Sequence, residues 1–175
     1  MASTQRVTSK ARRDWPFDVR ALHPGFGAEI IGLSLADAVK EESFAKVYEC
    51  FLDYQMILFR GVDLPPATQV AFAKRFGPVQ VHVMNQYHGR GNPEIYYLSN
   101  LDDQGRPNGK HPDKGTLYWH TDGSWRDVGT TATMMYSEVV PEAGGHTEFA
   151  DMHSAYDELA PEWRRRIDGL KAIHN

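Results

Sequence analysis

Residues 119–124 read Trp-His-Thr-Asp-Gly-Ser and place an imidazole and a carboxylate two positions apart. The flanking segments 116–119 and 130–136 are rich in residues that favour β-strands. Because a strand turns alternate side chains to opposite faces, we predict that His120 and Asp122 point to the same side. An imidazole nitrogen and a carboxylate oxygen are two of the three ligands in the two-histidine, one-carboxylate site that holds non-heme Fe(II). The pair alone is weak evidence, because the polar face of any half-buried strand can carry such residues.

The composition is that of an ordinary soluble globular protein: 175 residues, 41% hydrophobic and 24% charged. This length favours one domain. The net charge of -4 is spread over the chain, so we expect no nucleic-acid partner. The apolar runs are too short to span a membrane. The single cysteine, Cys50, excludes an internal disulfide and fits a cytoplasmic protein, with the thiol buried on a helix. The formation of a homo-oligomer is an open alternative.

Short strands and a few helices alternate in the predicted secondary structure. Residues 1–14 are expected to form a disordered leader, and 102–115 a long mobile loop that covers a site. The predicted strands are 17–22, 28–35, 56–59, 79–84 and 95–101; the predicted helices are 41–55, 67–76, 153–159 and 161–167. This pattern favours a mostly β fold with helical cover, either a β-sandwich or a jelly roll.

Further motifs carry a resemblance to a known family. Residues 144–151 read Gly-Gly-His-Thr-Glu-Phe-Ala-Asp. The predicted strand at 57–61 reads Ile-Leu-Phe-Arg-Gly, and the predicted helix at 72–77 reads Phe-Ala-Lys-Arg-Phe-Gly. Together with 119–125 they closely resemble the TauD/TfdA family of Fe(II)- and 2-oxoglutarate-dependent dioxygenases, over most of residues 15–175. The resemblance implies a double-stranded β-helix, with His120 and Asp122 as iron ligands. It also implies that the Thr147 hydroxyl helps to bind the distal carboxylate of 2-oxoglutarate.

Two further residues are candidates for substrate binding. His82 follows the Phe-Gly-Pro segment at 76–78, where taurine-type members of the family carry a substrate-contacting histidine. A surface or core histidine on a strand explains His82 equally well. Thr116 lies four positions before His120 and is predicted to face the same cavity.

The third iron ligand is the missing part of the pattern. The family adds a distal histidine and then an arginine for the carboxylate of 2-oxoglutarate, and neither matches a residue here. His146, His153 and His174 are poor substitutes, because they lie beside a turn, on a predicted helix and near the last residue. We therefore expect residues 15–175 to be the N-terminal portion of the domain, with an incomplete jelly roll that is inactive alone.

The resemblance implies that the protein uses Fe(II), 2-oxoglutarate and O2 to hydroxylate a small anionic substrate of the sulfonate or aryloxyalkanoate type, releasing succinate and CO2. Two alternatives remain. One is a zinc-dependent hydrolase with a His/Asp site. Such an enzyme would need a general base and would have no use for a pocket at Thr147. The other is a non-catalytic jelly-roll binding domain, in which His120 and Asp122 make only hydrogen bonds.

Overall fold

The computed structural model describes residues 13–81, 88–89, 91–102, 104–109 and 117–173. The elements in chain order are β1 (Asp18–His23), β2 (Phe26–Ile31), α1 (Leu35–Ala38), α2 (Glu41–Tyr54), β3 (Ile57–Leu58), α3 (Pro66–Arg75), β4 (His88–Gly89), β5 (Asn92–Tyr96), α4 (Met152–Asp157) and α5 (Pro161–Ile167). The chain divides into two compact units. The first contains Met1–Val62 and Met135–Asn175, and the second contains Asp63–Met134.

A three-stranded sheet forms the centre of the first unit. Strands β1 and β2 make an antiparallel hairpin, and β3 lies parallel to β2 on its other side. The hairpin turns at Pro24 and Gly25, where Gly25 has a φ of +81° that L side chains rarely adopt. The predicted strand at 17–22, the first part of the strand at 28–35 and the strand within 56–59 are therefore confirmed.

Helix α2 covers this sheet with an apolar stripe. Phe44, Val47 and Cys50 recur at helical spacing and are buried, and the Cys50 thiol has no exposed surface. Burial of each large apolar side chain contributes roughly 1.5–3 kcal/mol. The helix ends at Gln55, which adopts a left-handed conformation and donates its backbone N–H to the Phe51 carbonyl. The predicted helix and the buried cysteine are confirmed.

One short helix replaces the end of a predicted strand. The strand expected over 28–35 ends at Ile31, and α1 begins at Leu35. Ser34 caps α1 by accepting a hydrogen bond from the Asp37 backbone N–H at 3.1 Å. This bond satisfies the Asp37 backbone N–H, which has no partner within the helix. The strand prediction was therefore wrong at its C-terminal end.

Glu29 is the one buried charged residue among those described. Its partner across the hairpin is Arg20, whose guanidinium donates to Oε2 from both Nε and Nη2. The Arg60 Nε lies 3.5 Å from the same oxygen. A buried carboxylate needs such partners, because desolvation of an unpaired charge is costly. The cluster therefore joins β1, β2 and the end of β3.

The second unit has its own small core. Helix α3 starts with Pro66 in its first turn and buries Val70 and Phe72, as the predicted helix over 67–76 requires. It packs against β5. There, the Lys74 ammonium lies 3.2 Å from Glu94 Oε1. Only β5, at residues 92–96, overlaps a predicted strand in this unit; the expected strand at 79–84 is absent over 79–81, and 82–84 lie outside the described residues.

The segment after β5 contains local hydrogen bonds within the loop predicted at 102–115. Leu101 and Pro107 form an antiparallel bridge, and the Asp102 carboxylate accepts hydrogen bonds from the backbone N–H groups of Gln104 and Arg106, both at 2.9 Å. The Arg106 guanidinium also pairs with Asp102. In this part of the predicted mobile loop, Asp102 is thus bonded to residues 104 and 106; residues 103 and 110–115 lie outside the described residues.

Helices α4 and α5 are confirmed close to their predicted bounds, whereas the strands expected at 116–119 and 130–136 are absent over the residues described there. Helical residues outnumber strand residues in the described chain, so its balance is mixed rather than mostly β. Of the predicted leader, only residues 13 and 14 are described, and Arg13 pairs with Asp53 on α2. Within the described residues, no helix has the length and apolar character to cross a bilayer.

Candidate metal site

The segment that carries His120 and Asp122 folds into consecutive turns. The Ser124 backbone N–H donates to the Thr121 carbonyl at 3.4 Å, and the Arg126 N–H donates to the Gly123 carbonyl at 3.1 Å. Gly123 makes the turn possible, because its φ is +65°. The predicted strand was therefore wrong here, and local turn hydrogen bonds position the two side chains.

His120 and Asp122 nevertheless face each other, as predicted. The His120 Nε2 lies 3.3 Å from Asp122 Oδ1. On the other side of the ring, His120 Nδ1 lies 2.8 Å from the Tyr118 carbonyl oxygen. A carbonyl only accepts, so Nδ1 carries the proton in this contact and a neutral ring has its lone pair on Nε2.

Residues 130–133 lie across this turn and hold the carboxylate. The Thr133 hydroxyl donates to Asp122 Oδ2 at 2.6 Å, which leaves Oδ1 facing the imidazole. Thr130 approaches the turn so closely that a Cβ added at Gly123 would lie 2.2 Å from the Thr130 Oγ1. The Thr133 hydroxyl therefore orients the Asp122 carboxylate, and Thr130 leaves no room for a side chain at Gly123.

The donor set fits a divalent transition metal. Ligand atoms about 2.1 Å from one metal and at right angles to each other lie about 3.0 Å apart, close to the observed pair. The two side chains are about half exposed, with fractions of 47% and 51%, so the pair is open to a ligand. No group of three or more His, Cys, Asp or Glu residues within the described residues could complete the site.

Arg126 adds a positive charge to the same segment. Its guanidinium carbon lies 4.5 Å from the centroid of the Trp125 ring, a cation–π contact. Its Nε is buried and has no hydrogen-bond partner in the described part of the chain. Trp119, which immediately precedes His120, is 70% exposed.

Thr147 belongs to the first unit, whereas His120 and Asp122 belong to the second. It is exposed and follows the turn at Gly144 and Gly145, which have φ values of +78° and +66°. Downstream, Asp151 caps α4 by accepting from the Ser154 backbone N–H. Burial raises the pKa of Asp151, but hydrogen bonds from Ser154, the Gln55 side chain and the His153 backbone together outweigh it and hold that pKa below its ordinary value.

The remaining candidate residues are not brought to the pair by the described structure. His82 and Thr116, the predicted substrate-binding residues, lie outside the described residues, as does His174. His146 and His153 belong to the first unit.

Two contributors to the site were not predicted: the Tyr118 carbonyl and the Thr133 hydroxyl. A hydrogen bond from His120 to the carbonyl two residues earlier depends on backbone conformation, which the sequence does not display. Three threonines fall within 130–133, and nothing in the pattern distinguishes the one that reaches Asp122.

Comparison with known proteins identifies the family of this chain. The model of the family described as "Taurine catabolism dioxygenase TauD, TfdA family" matches residues 18–175, and the chain belongs to this family. It is 32% identical over 159 residues to the (S)-phenoxypropionate/alpha-ketoglutarate-dioxygenase of Sphingobium herbicidovorans, covering 91% of this chain and 53% of that protein. It is 30% identical to the alpha-ketoglutarate-dependent 2,4-dichlorophenoxyacetate dioxygenase of Cupriavidus pinatubonensis, covering 87% and 56%.

Solved structures show the same relationship. AAD-2 in complex with Mn(II) and N-oxalylglycine matches with a TM-score of 0.68 and 27% identity, over 86% of this chain and 54% of that one. A taurine dioxygenase from Burkholderia xenovorans matches with a TM-score of 0.64 and 26% identity, over 87% and 51%. The chain thus spans about half the length of the relatives that it matches.

Proposed function

We propose that the protein carrying this chain is an Fe(II)- and 2-oxoglutarate-dependent dioxygenase that hydroxylates a small anionic substrate. The observation that carries the proposal is the pair of His120 Nε2 and Asp122 Oδ1, 3.3 Å apart in a segment matched by the family. Turn hydrogen bonds and the Thr133 hydroxyl orient the pair without a strand.

The residues of the chain have distinct roles in this proposal. His120 offers Nε2 because the Tyr118 carbonyl holds the opposite nitrogen, and Asp122 offers Oδ1 because Thr133 occupies Oδ2. Bound iron would couple the oxidative decarboxylation of 2-oxoglutarate to succinate and CO2 with hydroxylation of a substrate C–H bond by O2. The chain's part is to bind, orient and partly neutralise the metal, with open positions left for small ligands.

Thr147 is proposed to donate a hydrogen bond to the distal carboxylate of 2-oxoglutarate. Its exposure after the Gly144–Gly145 turn leaves the hydroxyl accessible. His82 and Thr116 are proposed to contact the substrate, on the basis of their sequence positions alone. A third protein ligand for iron and an arginine for the carboxylate are further requirements of the reaction.

We also propose that residues 15–175 form the N-terminal portion of a double-stranded β-helix. The TM-scores of 0.68 and 0.64 over about half of each solved chain support this architecture.

The relatives named for phenoxypropionate and 2,4-dichlorophenoxyacetate favour an aryloxyalkanoate substrate, with sulfonates as the second class. The chain has one cysteine and that cysteine is buried, which suits a cytoplasmic enzyme. The proposal includes no nucleic-acid or membrane partner, and homo-oligomer formation stays open.

The test is succinate release by the protein made from its complete reading frame, with Fe(II), ascorbate, 2-oxoglutarate and a panel of aryloxyalkanoates and sulfonates. We expect turnover that requires both iron and 2-oxoglutarate, and loss of at least about a thousandfold in His120→Ala and Asp122→Ala, since each removes a ligand that the chemistry requires. His23→Ala, which changes an exposed histidine at the end of β1, is the matched control. Wild-type turnover by an iron-loaded Asp122→Ala protein would remove Asp122 from the ligand set.

The same experiment separates the two rival functions. A zinc hydrolase would turn over with Zn²⁺ and without 2-oxoglutarate. A non-catalytic binding domain would show the same metal titration for the wild type and His120→Ala, because the pair would then make only hydrogen bonds.

A further inference from the structure

In each side chain of the candidate metal pair, one polar atom makes a hydrogen bond and the other is left to face a metal. The Asp122 carboxylate could present either oxygen, or both, to a metal. Thr133 donates to Oδ2 at 2.6 Å, and only Oδ1 faces His120 Nε2. The interaction spans eleven residues of sequence, so it is not a contact within the turn itself.

We propose that Thr133 is a positioning residue that keeps Asp122 a monodentate ligand, an inference that rests on the proposed metal-binding function. Each coordination position matters at a site that must also accept small ligands. A carboxylate without this hydrogen bond is free to rotate and to bind the metal through both oxygens. The second oxygen then occupies a coordination position that a small ligand could use. The hydroxyl therefore sets both how firmly Asp122 binds the metal and how many positions remain.

Thr130, in the same segment as Thr133, also lies beside the 121–124 turn. A Cβ added at Gly123 would lie 2.2 Å from the Thr130 hydroxyl oxygen. Because valine and threonine have nearly the same shape, Thr133→Val is expected to remove one hydrogen bond while nearly preserving the packing. Thr133→Ser keeps the hydroxyl. Thr131→Val is the matched control, because Thr131 is exposed and its side chain makes no hydrogen bond with any described residue.

The experiment uses the protein made from its complete reading frame and measures its affinity for two metals. Mn(II) binding is followed by the electron paramagnetic resonance signal of the free ion, and Co(II) binding by its visible absorption spectrum. Loss of a ligand's hydrogen-bond partner typically costs about ten- to a hundredfold in metal affinity, and we expect about tenfold for Thr133→Val because the pair is half exposed. The Co(II) spectrum should shift as coordination changes. Thr133→Ser should restore both, and Thr131→Val should change neither.

A double-variant cycle guards against a general loss of structure. In an Asp122→Ala background, Thr133→Val should weaken the remaining Mn(II) binding by less than about twofold, because its target carboxylate is gone. An unchanged affinity and spectrum for Thr133→Val, or an equal loss in both backgrounds, would overturn the positioning role. If His120→Ala and the wild type bind Mn(II) equally, the proposed function itself fails, and that result is distinct from the other two.

Discussion

Gly123→Ala is the substitution whose effect the geometry of the candidate metal site predicts most directly. Gly123 has a φ of +65°, and a left-handed conformation costs an L residue roughly 1–2 kcal/mol. The added Cβ would also lie 2.2 Å from Thr130 Oγ1 and 3.3 Å from Thr130 Cβ. Overpacking of this kind typically costs about 1–3 kcal/mol. Alanine also restricts the unfolded chain more than glycine does, which stabilises the folded state by about 0.4–1 kcal/mol. We therefore expect a net destabilisation of about 2–4 kcal/mol.

The assay is urea unfolding followed by far-UV circular dichroism. With an unfolding slope of about 1–3 kcal/mol per molar urea, the midpoint should fall by about 1–2 M. Gly129→Ala is the control, because Gly129 lacks a positive φ and an added Cβ there would meet nothing within 4 Å. In a Thr130→Ala background, about half of the Gly123→Ala cost should disappear. A Gly123→Ala midpoint equal to those of the wild type and Gly129→Ala would refute the assigned turn geometry.

Two further predictions concern the cosubstrate and the segment after β5. Thr147→Val should weaken 2-oxoglutarate binding roughly five- to tenfold, with smaller effect on metal binding, because a neutral hydrogen bond contributes on the order of 1 kcal/mol; an unchanged 2-oxoglutarate titration would return Thr147 to a purely structural role. Hydrogen bonds from the Arg106 backbone and side chain and from the Gln104 backbone hold the pKa of Asp102 below its ordinary value of 3.8, against a smaller effect of burial. Its contribution to this segment is therefore complete above pH 3.8 and is lost as the pH falls through the lowered pKa. The Arg106 amide resonance should report this loss, and Asp102→Asn should abolish the pH dependence.

Sequence patterns predicted the helices better than the strands. Helix α2 carries its signal within its own residues, since Phe44 and Val47 recur at helical spacing and both become buried. A strand needs partners that the pattern does not identify. Residues 130–136 have the composition of a strand, yet Thr133 donates to a side chain in the 121–124 turn instead. The short helix α1 was missed although Ser34 and Asp37 have the spacing of an N-terminal cap.

The candidate ligand pair could be predicted because its residue types and spacing carry the chemistry, whichever backbone presents them. The reason given for the pair, alternation along a strand, was wrong: turn hydrogen bonds and Gly123 bring His120 and Asp122 together. The Tyr118 carbonyl and the Thr133 hydroxyl could not be predicted, because their roles depend on the path of the backbone. Motif chemistry and local conformation are thus separate kinds of information.

The segment after β5 makes this chain suitable for site-specific labelling. Leu101 and Pro107 are joined by a bridge, and Gln104 between them is exposed. The chain's one natural thiol, Cys50, has no exposed surface and should resist alkylating reagents in the folded state. A Gln104→Cys variant therefore offers one accessible attachment point for a fluorophore or spin probe. Such a probe would report on this segment while the metal pair and the packed face of α2 keep their native residues.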